Sequence, residues 1–178
     1  YYKWEVIEAC RKDMLQDSRV IHFVDYGRSR SELMDTTLMD NGRCTIGQRR
    51  VCDIARRSLT KRKYAEMLFR LVNWLGRPLL TSPSRGGIGD ETLEDRKGLT
   101  SVELGLEFRG LTIVELGTSL GVTTAYLAAA DSRNKVVTFE GCEAVATIAK
   151  ENWKRLNISN IECIVGELGA GMDALRQL

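Results

Sequence analysis

Apolar side chains recur at intervals of three and four residues along much of the first 75 residues, a period typical of helices buried on one face. Residues 3–16 form the first such stretch. Residues 20–27 are a short apolar run that suits a strand or an extended loop equally well. The pattern therefore predicts an N-terminal helical cap region over residues 1–75, with one undecided segment inside it.

Two further helices are predicted within this region. Thr45 and Gln48 have the three-residue spacing of a capping box, which predicts the start of a helix there. The apolar face of that helix would consist of Val51, Ile54, Ala55 and Leu59. Thr60 is placed to cap a second helix over residues 61–75. Its apolar stripe would consist of Tyr64, Met67, Leu68, Leu71, Val72 and Leu75.

The pattern changes after this region. Residues 76–110 combine both prolines and several glycines with polar and charged side chains, so we expect a long polar loop or insertion. From residue 111 onward, apolar runs of strand length alternate with helical patterns, with the strands at residues 111–116, 135–139 and 161–165. Strands that are apolar on both faces belong to a parallel sheet covered by helices. The predicted fold class is α/β, a Rossmann-like parallel sheet preceded by N-terminal helices.

The number of strands indicates a partial domain. A doubly wound sheet usually has about six strands, and this sequence supplies three. We therefore expect residues 111–178 to be the first half of such a domain, within a protein that continues beyond Leu178.

Composition and charge narrow the class of protein. The 178 residues carry 26 Lys and Arg against 24 Asp and Glu, and 43% are hydrophobic, which is typical of a globular domain. The five cysteines form no C-x-x-C pair, which argues against a disulfide scaffold and favours the reducing cytoplasm. His22 is the single histidine, so a histidine-rich metal site within the chain is excluded and no metal-binding residue is assigned.

Residues 114–124 carry the most chemical information. The strand-like run is followed by Gly117, where the chain can turn tightly and a ligand can approach bare backbone. The helix predicted after Gly121 would offer unpaired N–H groups to an anion. Glu140 follows the next strand, about 20 residues after Gly117, where an acidic side chain can reach the ribose hydroxyls of a nucleoside. These residues predict an adenosine-bearing cofactor.

The spacing of the glycines separates the candidate cofactors. Ser119 stands where the dinucleotide fingerprint G-x-G-x-x-G has its second glycine, which disfavours NAD and FAD. The pattern E-x-G-x-x-x-G, with an acid after the second strand, resembles motif I and its acidic partner in class I S-adenosylmethionine-dependent methyltransferases. Residues 112–167 are most similar to the catechol O-methyltransferase-like branch, through Glu140-Gly141-Cys142, residues 146–152 and Val165-Gly166.

The resemblance implies S-adenosylmethionine as cofactor and a set of residues around its methionine part. Glu115, Gly117 and Thr118 would border the methionine. Gly121 completes the glycine pattern, and Thr123 matches the hydroxyl residue that holds the cofactor's carboxylate. Simpler roles stay open, because Glu115 could close the corner between strand and turn and Thr123 could cap a helix.

At the other end of the cofactor, the resemblance implies that Glu140 binds the ribose and that Glu167 and Leu168 lie beside the adenine. No catalytic residue is assigned, since the sequence stops before the strand that carries the metal ligands and the base in related enzymes. Residues 102–105 repeat the start of motif I, but Arg109 replaces the second glycine there.

A basic segment suggests an alternative function. Residues 43–77 hold ten basic side chains and the two acids Asp53 and Glu66, a charge excess that could meet nucleic acid. The whole chain is nearly neutral, and the segment lacks the interleaved aromatic residues typical of RNA binding. We therefore expect a methyltransferase acting on a small-molecule hydroxyl or similar nucleophile, with a homodimer allowed and no membrane partner. The alternative is a nucleic-acid-binding or RNA-modifying protein that uses residues 43–77.

Overall fold

A computed structural model describes residues 2–25, 37–39, 44–76 and 110–166. In chain order, the elements of these ranges are α1 (Tyr2–Gln16), β1 (Val20–Asp25), β2 (Thr37–Met39), β3 (Cys44–Arg50), α2 (Val51–Ser58), α3 (Arg62–Leu75), β4 (Thr112–Leu116), α4 (Val122–Ala130), β5 (Lys135–Glu140), α5 (Glu143–Arg155) and β6 (Ile161–Val165). Nearly all of the predicted polar loop, together with residues 167–178, lies outside the described residues.

The N-terminal region contains a sheet that the sequence pattern does not predict. Strand β3 lies between β1 and β2 and pairs with both in antiparallel orientation. The predicted capping box is wrong, because Thr45 and Gln48 lie within β3 and the helix begins only at Val51. The backbone of β3 pairs with β1 along its length, from Arg50 opposite Val20 to Thr45 opposite Asp25, and so forms a strand instead of a helix. Long-range pairing thus overrides the local helix-start signal.

Helices α2 and α3 form close to their predicted positions. Helix α2 buries Val51, Ile54 and Ala55 as expected. Thr60 does not cap α3, which begins after Lys61 without a side-chain cap among the described residues. The buried residues of α3 are Ala65 and Val72. The predicted apolar stripe is therefore only partly buried, and four of its residues are exposed, namely Tyr64, Met67, Leu71 and Leu75.

The C-terminal part confirms the predicted α/β fold with a Rossmann-like parallel sheet. The strand order is β4-β5-β6, and both neighbouring pairs are parallel. Helices α4 and α5 connect consecutive strands and pack against the sheet. Strand β5 is central and almost fully buried, whereas β4 is an edge of the described sheet with Val114 and Leu116 exposed. The carboxyl ends of β4 and β5 lie side by side, so residues that follow them meet at one edge of the sheet.

A buried polar network joins the N-terminal helices to the parallel sheet. The Glu8 carboxylate accepts hydrogen bonds from Tyr126 Oη at 2.8 Å and from Arg11 Nε at 2.9 Å. Arg11 also donates to the Thr60 carbonyl at 2.6 Å. The pKa of Tyr126 is raised, mainly by burial and secondly by the hydrogen bond to Glu8. The phenol therefore keeps its proton and remains a donor. The network links α1, the junction between α2 and α3, and α4.

None of the described helices is both long enough and apolar enough to cross a membrane.

Candidate functional site

The glycine loop, defined here as residues 117–121 between β4 and α4, lies at the carboxyl ends of β4 and β5. The backbone N–H groups of Gly117 and Thr118 both donate to the Phe139 carbonyl at 3.0 Å, which fixes the loop against the end of β5. Gly117 has φ of +92°, and no described atom lies within 4 Å of a Cβ built there. The backbone at Gly117 therefore presents an open face to a ligand.

The other end of the glycine loop is closely packed. Gly121 has φ of +78°, and a Cβ built on it would lie 2.5 Å from Nε1 of Trp153 and 2.9 Å from Cβ of Ala149. The Trp153 indole donates to the Gly121 carbonyl at 2.8 Å. Only glycine fits here, because both the backbone conformation and the contact with α5 exclude a side chain.

Glu115 is half-buried, and its carboxylate is directed at two buried threonines. Its Oε2 accepts hydrogen bonds from Thr124 Oγ1 at 2.5 Å and from Thr138 Oγ1 at 2.7 Å. Burial raises the pKa of Glu115, and the two threonine bonds offset part of that rise. The Thr118 hydroxyl is also buried and lies 2.6 Å from Thr138 Oγ1. Glu115 and Thr118 thus join the base of the glycine loop to α4 and β5.

Glu140 is held differently, by backbone groups on both sides. Its Oε2 accepts from the Ser119 N–H at 2.8 Å, and its Oε1 accepts from the Cys142 N–H at 3.0 Å. Hydrogen bonds to an ionised carboxylate are among the stronger ones in proteins. They orient the half-buried side chain across the end of β5 and against the glycine loop.

The junction between α2 and α3 supplies two site residues that the sequence analysis missed. Ser58 Oγ lies 2.6 Å from Ser119 Oγ, and Thr123 Oγ1 donates to Thr60 Oγ1 at 3.0 Å. The Thr123 hydroxyl therefore bonds across to the N-terminal region rather than capping α4. No local signal in the sequence indicates these pairs, since more than 60 positions separate the partners.

A pocket of about 280 Å³ adjoins Glu140. Its wall from the N-terminal region includes Phe23, with the Arg49 guanidinium 4.5 Å above the ring. The complete lining is Phe23, Arg49, Ile54, Arg57, Ser58, Ser119, Glu140 and Val145. The pocket lies where β1, β3 and α2 meet the glycine loop and the end of β5.

The structure brings most of the sequence-predicted cofactor residues together. Glu115, Gly117, Thr118, Gly121, Thr123 and Glu140 all lie in or against the glycine loop, whereas Glu167 and Leu168 lie outside the described residues. Within the described ranges, no three His, Cys, Asp or Glu side chains are grouped as metal ligands would be.

Several basic side chains of residues 43–77 are paired on their own helices. Arg56 lies 2.9 Å from Asp53 on α2, and Arg62 lies 2.7 Å from Glu66 on α3. Lys63 stacks 4.8 Å above the Tyr64 ring. These are exposed helix-face contacts, so the geometry does not favour the nucleic-acid alternative.

No protein-family model matches the chain, and no curated protein does. Among solved structures, it is similar to cofactor-bound Rv0187 from MTB at 20% identity and a TM-score of 0.45, covering 68% of this chain and 40% of that one. It is also similar to an O-methyltransferase from Bacillus cereus in complex with SAH at 25% identity and a TM-score of 0.34, covering 70% and 51%. A putative O-methyltransferase from Klebsiella pneumoniae gives 17% identity and a TM-score of 0.36, covering 68% and 51%.

The chain spans between two fifths and about half of the length of these three proteins. Two of these three proteins are named as O-methyltransferases, and residues 112–167 resemble that wider class of enzymes. With TM-scores below 0.5, these likenesses assign neither a family nor an activity to this chain.

Proposed function

We propose that this chain forms the cofactor-binding part of an S-adenosylmethionine-dependent methyltransferase that acts on a small-molecule hydroxyl or similar nucleophile. The observation that carries the proposal is the orientation of Glu140. Two backbone N–H groups hold its carboxylate at the end of β5, beside the open backbone of Gly117. An acid at this position of a parallel sheet suits the two hydroxyls of a ribose.

The residues around the glycine loop fit the remaining parts of this cofactor. Gly117 leaves room for close approach to the backbone, and the first N–H groups of α4 favour a carboxylate. The hydroxyls of Ser58 and Thr60 contact those of Ser119 and Thr123, and Thr60, which accepts from Thr123, keeps a proton that could be donated to that carboxylate. When bound, S-adenosylmethionine would supply an activated methyl group.

The chain's own contribution would be binding and positioning. Methyl transfer is a displacement in line with the sulfonium–methyl bond, so orientation and exclusion of water lower its barrier. Glu140 would fix the nucleoside and the glycine loop would fix the methionine. The wall formed by Phe23, Arg49 and α2 would limit access of water from the N-terminal side.

Compartment and assembly are part of the same proposal. Cys10, Cys52, Cys142 and Cys163 are free thiols, which suits the cytoplasm. That the chain forms a homodimer stays a prediction. So do the contacts of Glu167 and Leu168 with the adenine.

Calorimetric titration of the 178-residue chain with S-adenosylhomocysteine and with NAD tests the proposal. We expect binding of S-adenosylhomocysteine only, and Glu140→Ala should weaken it by about 1.5–3 kcal/mol, the range for lost hydrogen bonds to a charged group. Glu143→Ala is the matched control, because Glu143 is an exposed acid in the first turn of α5. Tighter binding of NAD, or an unchanged Kd in folded Glu140→Ala, would overturn the proposal.

A further inference from the structure

Cys142 joins the turn after β5 to the N-terminal sheet. Its side chain is 2% exposed, and it is the residue immediately before α5. The thiol accepts a hydrogen bond from the Val24 N–H, with 3.4 Å between N and Sγ, and donates to the His22 carbonyl, with 3.6 Å between Sγ and O. A single thiol therefore contacts two backbone groups of β1.

These two backbone groups lie on the outer edge of β1. In a strand, the N–H and C=O groups of consecutive residues point to opposite sides, so those of His22 and Val24 point to the same side. The groups of His22 and Val24 that meet Cys142 thus point away from β3, the strand with which β1 pairs in the described sheet. They also lie on either side of Phe23, whose side chain lines the pocket beside Glu140. The thiol consequently holds the strand segment that carries this part of the pocket wall.

The backbone of Cys142 is fixed as well. Its N–H donates to Glu140 Oε1 at 3.0 Å, and its carbonyl accepts from the Ala146 N–H at 2.9 Å, at the start of α5. Movement of the Cys142 backbone would therefore move one of the two N–H groups that orient the Glu140 carboxylate. The contacts form a continuous path from β1 through Cys142 to Glu140.

We propose that Cys142 is a positioning residue, whose thiol holds the turn after β5 against β1 so that Glu140 keeps the orientation required for the nucleoside. This inference rests on the proposed function, because it assigns Glu140 to the ribose. A thiol suits the position, since it is a weak donor and a weak acceptor at once and is tolerant of burial. Alanine would fill the site without either bond, whereas serine would keep both hydrogen-bonding roles with a shorter reach.

The test compares Cys142→Ala and Cys142→Ser with Cys52→Ala in the complete 178-residue chain. Cys52 is a matched control, because it is also buried and its thiol lies 3.8 Å from the adjacent Asp53 carboxylate, not against Glu140. We expect Cys142→Ala to raise the Kd for S-adenosylhomocysteine about fivefold to tenfold, in line with the loss of about one hydrogen bond. Cys142→Ser should restore part of the affinity, and Cys52→Ala should change it less than about twofold.

A double-mutant cycle separates positioning from a general loss of stability. If Cys142 acts through Glu140, Cys142→Ala should have little effect on the Kd in a Glu140→Gln background. Equal effects in both backgrounds would overturn the inference, as would equal effects of Cys142→Ala and Cys52→Ala on the Kd.

A cofactor-independent measurement keeps the inference separate from the proposed function. In the NMR spectrum of the free protein, the Ser119 amide reports on the Glu140 carboxylate that it contacts. Cys142→Ala should shift that resonance and Cys52→Ala should not. If the wild-type chain fails to bind S-adenosylhomocysteine but the Ser119 shift occurs, the proposed function is wrong and the positioning of Glu140 by Cys142 still holds. An unmoved Ser119 resonance in Cys142→Ala would exclude the positioning role.

Discussion

Glu115 and Glu140 lie at the ends of neighbouring parallel strands, yet their carboxylates face different surroundings. Glu115 accepts from two threonine side chains that belong to α4 and β5, within the interior. Glu140 accepts from backbone N–H groups of the glycine loop and of the turn before α5. The two threonine partners of Glu115 belong to the packed core, whereas the two N–H groups that bind Glu140 belong to segments that surround the proposed cofactor.

We interpret the difference as a division of roles: partners in the core suit an acid that stabilises the fold, and partners around the proposed cofactor suit an acid that binds it. Burial is the main cause of the raised pKa of Glu115, and the charge of Glu140 adds only a minor rise. We therefore expect changes at Glu115 to act mainly on the free energy of unfolding, and changes at Glu140 to act mainly on cofactor affinity. Four further experiments test this division.

The largest effect is expected from Gly121→Ala, at the buried end of the glycine loop. The new Cβ would lie within 3 Å of Trp153 and Ala149 atoms at a residue with φ of +78°. Overpacking and left-handed strain together should lower the free energy of unfolding by about 3 kcal/mol. Urea denaturation measures this change directly.

Gly117→Ala is the matched control at the open end of the loop. Its φ is +92°, but the described structure has no atom within 4 Å of the added Cβ. We expect a stability loss of about 1 kcal/mol from backbone strain, together with a clear loss of S-adenosylhomocysteine affinity in calorimetry. If Gly117→Ala instead binds normally, the face at Gly117 is not where the ligand approaches.

The next largest effect on the free energy of unfolding is expected from changes at Glu115. Glu115→Ala would leave the buried Thr124 hydroxyl without its acceptor and deprive Thr138 of one, so the free energy of unfolding should fall by about 2 kcal/mol. Glu115→Gln keeps an acceptor oxygen and should cost less. Glu140→Ala, measured alongside by urea denaturation, should change stability least. A greater stability loss in Glu140→Ala than in Glu115→Ala would reverse the assignment of the two acids.

The pH dependence of stability gives an independent measure of Glu115. Because burial raises its pKa in the folded state, the folded protein holds this proton more tightly than the unfolded chain does. The associated stability is fully present below the ordinary carboxyl pKa of about 4.3 and is lost as the pH rises through the higher folded value. The stability of the wild type relative to Glu115→Gln should therefore decline over that interval. A difference that increases with pH would mean that the folded pKa is lowered instead.

The parallel sheet is predictable from sequence because its signals are local. Strands β4, β5 and β6 are short apolar runs; between them, α4 is an Ala-rich, almost wholly buried helix and α5 alternates buried and exposed positions with the helical period. In the N-terminal sheet, β1 is a short apolar run that suits a strand or a loop equally well, and β3 is mostly polar and carries Thr45, Gln48 and Arg49. Formation of β3 depends on pairing with β1, whose residues lie at least 20 positions earlier than their partners. A pattern read within one segment does not contain that information.

The same distinction applies to the site. The placement of Gly117, Gly121 and Glu140 near one another is predictable, because a glycine turn and the ends of adjacent parallel strands are local features of the sequence. The contacts of Ser58 and Thr60 depend on how the N-terminal helices pack against α4, through the network of Glu8, Arg11 and Tyr126. They become visible only once the tertiary structure is known.

The smallest effect on cofactor affinity is expected from changes at the amino end of β4, the end far from Glu115. The residues that flank the undescribed segment 77–109 approach each other there, since a Cβ built on Gly76 would lie 3.9 Å from Cδ1 of Leu111. A connection of a few residues can therefore join α3 to β4.

Replacing residues 79–109 with about four Gly and Ser residues should change the Kd for S-adenosylhomocysteine less than about twofold, because both acids lie at the far end of the strands. Stability should stay the same or rise slightly, since closing a loop costs about 0.6 kcal/mol less for each halving of its length. A second variant, with the segment replaced by a Gly and Ser sequence of equal length, separates the effect of length from that of sequence. If both variants fold but lose cofactor binding, residues 79–109 contribute directly to the site, and the division between the two ends of β4 is wrong.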